Sequence, residues 1–481
     1  MLLSNNLQKN LTFFKKRLSS DDVEFIDLKL GDRKSVLIFV KDITDKEKIG
    51  DFILRPAGKL KGKPTEKTLL DTFLSPEKRT FTDAEEILDE IASGSTALIA
   101  DGIKKAFVFS LKKFEKRSIT EPPTSTVIKG PREGFVENLS VNISLMRRKL
   151  KTPDLKFINV KVGGYSKTPV ALCYVDGIAD KRIVDVLLKK LKAISIDAVL
   201  DSSYIAKFLG EHKTSVFRQV GNTEKPDILA AKILEGRVAV FVDGSPIALT
   251  VPYLLLEDFQ SPSDYYNSPY SATLARFLRL FSIMVAIIVP AFFVSAELFH
   301  LQLIPLSFLL TIVNSIKGIP LSPSYEMFFT LLIFEILNEA SVRMPKYVGM
   351  VVSIVGGLVL GETAVNAGII SAPTLMIIAF SGICLYTVPE LERTFSVIRL
   401  LFLIVAGSVG IFGLLCSMLY MTIYLISFET YSTPLVAPFS PLITKDLKDS
   451  FYKGFLIEQQ SRPLSLKNVN KRRINTQNEG E

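Results

Sequence analysis

Seven carboxylates stand in the apolar half of the chain: Glu297, Glu326, Glu335, Glu339, Glu362, Glu390 and Glu392. A charge at the centre of a bilayer costs about 2.5 kcal/mol or more, so such residues face a partner, a cavity or a pore. Glu362 has the surroundings best suited to the last of these. It follows MVVSIVGGLVLG, where Gly356, Gly357 and Gly361 clear side chains from one stripe and permit close helix approach. Leu358 lies one turn before Glu362 on the same face, and Val351 with Ile354 or Val355 continues that face. Copies of this helix around an axis would make Leu358 an apolar constriction that gates by dewetting, and Glu362 an acidic ring that favours cations. The competing account is a glycine-packed helix whose Glu362 pairs with a cation elsewhere.

The other charges read as structural. Glu335, Glu339 and Arg343, spaced four apart, share one helical face as an i,i+4 arrangement. Glu390 and Glu392, beside Pro389, Arg393 and Arg399, suit a solvated interfacial turn, and Glu297, near the end of its span, a charge that reaches the headgroups. No catalytic residue, metal site or cofactor is expected. GxxxxGK[ST], HExxH and GxSxG are missing, and His212 and His300 are too few for a histidine cluster or triad. His212 reads as a solvated loop residue, the corners VDGSP and ADG as turn chemistry, and Cys173, Cys384 and Cys416 as buried small hydrophobes.

The elements that must position these residues fall into two parts. Residues 277 to 425 carry 13 charges in 149 positions, whereas residues 1 to 276 carry 80, so a polar front precedes an apolar back. Uncharged apolar runs predict spans near 277 to 299, 325 to 342, 348 to 366, 369 to 388 and 399 to 426. Residues 301 to 317 form a sixth span or a re-entrant piece broken by Pro305, so the count is five or six. Arg276, Arg279 and a basic tail place both ends in the cytoplasm, and an N-terminus without an uninterrupted apolar core predicts no signal peptide.

The front contains a duplication. VLIFVKDITDKEKIGDFIL (Val36 to Leu54) aligns without a gap on ALCYVDGIADKRIVDVLLK (Ala171 to Lys189), and ILDEIASGSTALIADG (Ile87 to Gly102) on LAAKILEGRVAVFVDG (Leu229 to Gly244). In both pairs a helix meets a strand that is apolar throughout, which implies sheets covered by helices. The fold class is therefore an α/β soluble N-terminal region of two similar subdomains plus an α-helical multi-span membrane domain. Its divisions are a first α/β subdomain (1–116), a Pro/Gly arm and linking helix (117–154), a second α/β subdomain (155–258), a juxtamembrane connector (259–276), the helical transmembrane domain (277–426) and a basic cytoplasmic tail (427–481). Tyr265, Tyr266 and Tyr270 in the connector suit an interfacial collar.

The segments RSITEPPTSTVIKGPREGFVENL, GNTEKPDILAAKILEGRVAVFVDGSP, QSPSDYY and ASVRMPKYVGMVVSIVGGLVLGETAV, in that order, resemble the A subunits of GerA-type spore germinant receptors of endospore-forming bacteria. The resemblance covers residues 20 to 460. It implies a role in sensing nutrients and breaking dormancy at the inner spore membrane, and assembly of this subunit into a homo-oligomeric ring that conducts ions when nutrient binds. The partners it implies are a permease-like B subunit that binds the nutrient and a C subunit that is a lipoprotein.

A secondary transporter is the first alternative, although the visible repeat lies in the soluble half rather than among the spans. A membrane scaffold or signalling subunit without a pore is the second. The net charge of +9 is explained by a face next to anionic lipid, and no aromatic-interleaved basic stripe points to nucleic acid.

Overall fold

The computed structural model describes residues 1–73, 75, 77–113, 129–345, 348–349, 351, 354, 357–455 and 458–473. In the front half, α1 (Leu7–Arg17) leads into β1 (Val23–Leu30) and β2 (Arg33–Val40). Helix α2 runs from Lys46–Ile49 through a wider turn, Gly50–Leu54, to Arg55–Ala57, and α3 (Glu66–Thr72), β3 (Lys78–Phe81), α4 (Ala84–Ala92), β4 (Thr96–Ala100) and β5 (Ala106–Phe109) follow. The second unit repeats this order. It comprises α5 (Leu139–Lys149), β6 (Leu155–Val162), β7 (Thr168–Val175), α6 (Lys181–Ala193), α7 (Ser202–Leu209), β8 (Gly221–Thr223), α8 (Pro226–Leu234), β9 (Val238–Val242) and β10 (Ala248–Val251). The sheets read β1-β2-β4-β5-β3 and β6-β7-β9-β10-β8, with neighbours antiparallel throughout.

Period-two alternation explains why the central strands are apolar at every position. Val36, Ile38 and Val40 of β2 meet Phe14 of α1 and Ile87, Leu88 and Ile91 of α4. Leu37 and Phe39 point the other way, toward Ile49 and Ile53 of α2 and Leu69 of α3. The second sheet is covered in the same manner, Leu172 and Val240 facing α6 and α7, Cys173 and Phe241 facing α5 and α8. Each fully buried Leu, Ile or Phe here contributes about 1.5–3 kcal/mol relative to exposure.

Local chemistry is duplicated with the topology. Asp45 caps α2 by accepting from the N–H groups of Glu47 and Lys48, and Asp180 caps α6 by accepting from that of Arg182. Helices α4 and α8 are each followed by a glycine at positive φ, Gly94 at 99° and Gly236 at 104°, where an L side chain would be strained. The leading helices share a clasp. Asn10 of α1 bonds both the N–H and C=O of Ser4, and Asn142 of α5 does the same with Val136. The helix taken from the sequence as a linker, 139–149, is thus the counterpart of α1 and packs on the second sheet.

A buried ion pair joins the units. Arg147 donates through Nε and Nη2 to the two carboxylate oxygens of Asp22, both at 2.8 Å, and its guanidinium lies 5.1 Å from the centre of the Phe157 ring.

The apolar half opens with α9 (Pro269–Phe299), 31 residues and about 46 Å long. Among the described residues it alone is long and apolar enough to cross a membrane unbroken. Helix α10 (Leu306–Ile316) begins after Pro305 and is short, and α11 (Pro323–Arg343) carries Glu326, Glu335 and Glu339. Helix α12 (Ala372–Leu385) and the segment Pro389–Val409, which contains α13 (Glu392–Val409), form an apolar pair bent by 108°. The run expected as one span over 399 to 426 is broken: α13 ends and α14 (Ile411–Ser427) begins at Gly410, whose φ is 76°. A Cβ there would lie 3.1 Å from Cδ2 of Phe299, so the close approach and the backbone both require glycine. Large apolar side chains crowd the exterior of this half, among them Phe277, Phe281, Leu306, Phe412, Leu419 and Ile423.

One apolar core runs across the two halves. Phe217, Tyr253, Leu255 and Phe259 pack with Ile283 and Ile287 of α9, Leu385, Phe395 of α13, Phe428 and Leu435. After α14, the strands β11 (Glu429–Thr430) and β12 (Thr433–Pro434) pair, and the remaining described residues lie back on the second unit as a strap. The N–H of Val469 donates to the Ile178 carbonyl at 2.9 Å, and Nδ2 of Asn468 to that of Glu235 at 3.2 Å. Part of the charge in the segment read as a basic tail is thus used on the protein itself, Arg473 pairing with Glu235 at 2.9 Å.

Candidate functional site

The residues singled out from the sequence separate into two groups. Val351, Ile354 and Leu358 are exposed together, Val351 at 59% and Leu358 at 64%, and Glu362 is exposed as well. Val355 and Gly356 lie outside the described residues. Gly361 is turned elsewhere: it is buried, and a Cβ on it would meet Cδ2 of Leu375 in α12 at 3.3 Å. Gly361 thus packs within the chain, whereas Gly357 is exposed with no atom within 4 Å of an added Cβ, and Val351, Leu358 and Glu362 are uncovered too. Residues 359–363 form a wider helical turn that delivers Glu362 to that side.

The acidic stripe divides. Arg343 donates through Nη2 to Oε1 of Glu339 at 2.5 Å and through Nε at 2.8 Å, an exposed i,i+4 pair. Glu335 takes no part in it. Its carboxylate accepts from Arg399 of α13 at 2.5 Å and from the Ser396 hydroxyl. Arg399 is fully buried and also donates to Ser381 at 2.8 Å, whose hydroxyl donates to the Ala286 carbonyl at 2.7 Å. This chain ties α11, α13, α12 and α9 together.

A second polar concentration surrounds a cavity of about 740 Å³ between the second unit, the foot of α9, the turn at 387–390 and the strap. Arg218 donates to Asp258 through Nε at 2.9 Å and to Glu390 through Nη1 at 2.8 Å, linking the α/β and helical halves. The Tyr253 hydroxyl donates to the same Asp258 at 2.5 Å. Glu257 is held by Lys232 at 2.6 Å and Arg237 at 3.0 Å. Lower down, Arg276 and Arg279 converge on Asp264 at 3.2 and 2.8 Å, and Arg276 reaches Asp449 at 3.0 Å. The tyrosines expected as a collar also have polar contacts: Lys453 sits 3.8 Å from the centre of the Tyr265 ring and Tyr266 donates to Asp227 at 2.5 Å, while all three side chains stay exposed, Tyr270 most of all.

Burial and partners compete at these groups. Burial alone would raise the Glu257 carboxyl, but Arg237 and Lys232 together hold it below the ordinary carboxylate range. At Asp258 burial prevails over Arg218 and raises the carboxyl, and burial likewise pushes the Tyr253 phenol well up. Because the folded pKa of Glu257 is depressed, its stabilisation is present above the ordinary Glu value of about 4.3 and is lost as pH falls through the lower folded value. Melting temperature followed against pH should therefore drop more steeply in acid for the native protein than for Glu257→Gln. Identical acid limbs would contradict this role.

A duplicated α/β body fused through one apolar core to a helical half with an apolar exterior is the build of a membrane-associated protein. The family model described as Bacillus/Clostridium GerA spore germination protein matches residues 10–465, and the chain belongs to that family, as its motifs imply. It is 33% identical to Spore germination protein KA of Bacillus subtilis (strain 168), over 98% of this chain and 88% of that protein. Identity is 35% to the uncharacterized membrane protein YfkQ of the same organism, over 94% and 89% of the two chains. It is 33% to Spore germination protein GerLA of Bacillus cereus, over 87% of each. The crystal structure of the N-terminal domain of the A subunit of the Bacillus megaterium spore germinant receptor GerK3 aligns with 53% of this chain and 98% of that one, at 29% identity and a TM-score of 0.41.

Proposed function

We propose that this chain is the membrane subunit of a nutrient germinant receptor, and that several copies form a ring that conducts small cations when nutrient binds a partner. One observation carries the conducting role. A stripe of Val351, Ile354 and Leu358 ends in Glu362 and is exposed in the single chain, while the neighbouring Gly361 is packed against α12. Around an axis, that stripe would supply a dewetting apolar constriction and then an acidic ring. The apolar exterior of residues 277–426 supports a multi-pass setting in the inner spore membrane, with the N-terminal body in the cytoplasm. The partners in this reading are a permease-like, nutrient-binding B subunit and a lipoprotein C subunit, with no enzymatic step. Arg218, which bonds Asp258 on one side and Glu390 on the other, would pass movement between the halves.

Vesicles that hold the assembled receptor provide the test. Leu358→Ala should raise the basal cation leak several-fold without nutrient, and Glu362→Gln should weaken the preference for cations over anions. Unchanged leak and unchanged selectivity would remove the pore from this face and leave a scaffold or signalling subunit as the better account.

A further inference from the structure

Two acids in the helical half have no basic partner among the described residues. Glu297, near the end of α9, is 8% exposed, and its Oε1 is buried without a hydrogen bond. The sequence had suggested a charge reaching the headgroups; the structure encloses it instead. Glu326, in the first turn of α11, is 1% exposed, and its Oε1 accepts from both the N–H and the hydroxyl of Ser371, at the start of α12, at 2.7 Å. The Ser371 hydroxyl in turn lies 2.9 Å from that of Thr374. The helices that carry these groups pack through Phe293, Val294, Met327, Leu331, Ile377 and Ile378.

Phe293 and Val294, one turn before Glu297, share one buried cluster with Met327, the residue after Glu326, so the two acids flank the same packing. Among the described residues no Lys or Arg pairs with either, and the ion pairs of this half run elsewhere, Arg343 to Glu339 and Arg399 to Glu335. Helices α10 and α12 carry no charged residue at all. Two other titratable groups are near in sequence: His300, one turn after Glu297, whose Nδ1 is buried without a hydrogen bond, and Tyr325, next to Glu326, whose side chain is exposed. Two negative charges enclosed in apolar packing repel each other and lose their hydration, so the arrangement calls for one compensating positive charge.

We propose that Glu297 and Glu326 form a binding site for one small monovalent cation, a proton or an alkali ion, inside the helical half. The Ser371 and Thr374 hydroxyls set the orientation of Glu326. Occupancy holds α9, α11 and α12 together, and loss of the cation sets the two acids in opposition and loosens that packing. The site is separate from the Leu358 and Glu362 face, so it stands even if that face conducts nothing.

The test uses the full-length protein in detergent, with melting followed in potassium, sodium or choline chloride at one ionic strength, from mildly acidic to mildly alkaline pH. A proton site predicts that the native protein melts lower as pH rises, whichever salt is present. An alkali site predicts lower melting when choline replaces the metal ion. Either dependence should vanish in Glu297→Gln, persist in Glu297→Asp and persist in His300→Gln. If Glu297→Gln does not fold, Ser371→Ala should move the midpoint of the dependence, because Glu326 loses its hydroxyl donor. Absence of both dependences in the native protein, their full retention in Glu297→Gln, or an unmoved midpoint in Ser371→Ala overturns the site.

Discussion

Replacing Arg147 by alanine is expected to destabilise the docking of the two α/β units by about 3–5 kcal/mol, the cost of leaving one member of a buried pair without its partner. Asp22 is 1% exposed and would be left in a closed space without the two bonds it accepts from Arg147. The loss is larger than for the surrounding surface pairs. Arg17 with Asp154, both about two-fifths exposed, belongs to a class worth about 0–1 kcal/mol. The double change Asp22→Leu with Arg147→Met should recover much of the loss, since an apolar pair of similar volume carries no uncompensated charge. Thermal melting of the full chain by circular dichroism checks both statements. A single-variant loss within that of the Arg17 pair would show that the Asp22 bond does not hold the units together.

Arg276→Ala should have an effect of similar size, with a more local readout. Arg276 is fully buried at the foot of α9, pairs with Asp264 and Asp449, and donates to the Ser450 carbonyl at 2.7 Å. Its removal leaves Asp449 without that anchor and loosens the strap on the helical half, where the Lys453 N–H to Thr273 bond at 3.1 Å and the Tyr270–Phe455 ring contact remain, so limited proteolysis should cut residues 445 to 473 markedly faster. Arg276→Lys should rescue only part of this, because an ammonium cannot reproduce the planar fork that spans two carboxylates and a carbonyl. Unchanged cleavage in Arg276→Ala would mean that the contacts of Arg462 and Asn468 with the second unit suffice to hold the strap.

The duplicated body was legible because strand and cap chemistry repeat in order: an apolar strand, then Asp-Lys opening a helix, then a helix closing at glycine. The equivalence of α1 and α5 went unread, although both place Leu first and Asn three residues on, with basic residues in the last turn. Their apolar positions coincide as well at an offset of 132, Leu7, Leu11, Phe13 and Phe14 with Leu139, Ile143, Leu145 and Met146, so the relation was present in the sequence and the clasp made by Asn10 and Asn142 shows its use. Uncharged length located the helical half but not its breaks, since the positive φ at Gly410 leaves no trace in hydropathy. The spacing of Glu335, Glu339 and Arg343 put all three on one helical face. It could not tell that Arg399, 64 residues later, would claim Glu335. For the same reason the Glu297 and Glu326 site was hidden: its members come from separate helices and are linked only by tertiary packing. An acid in an apolar run without a nearby Lys or Arg in its own helix was the available signal.

The central claim is that copies of this chain surround an axis with the 348 to 366 segment at its centre. Electron microscopy of the purified full-length protein in detergent, alone and with its partner subunits, tests it most directly. A closed ring of several copies, with Leu358 and Glu362 facing the axis, is the predicted result. A chain that remains single even with its partners present would contradict it.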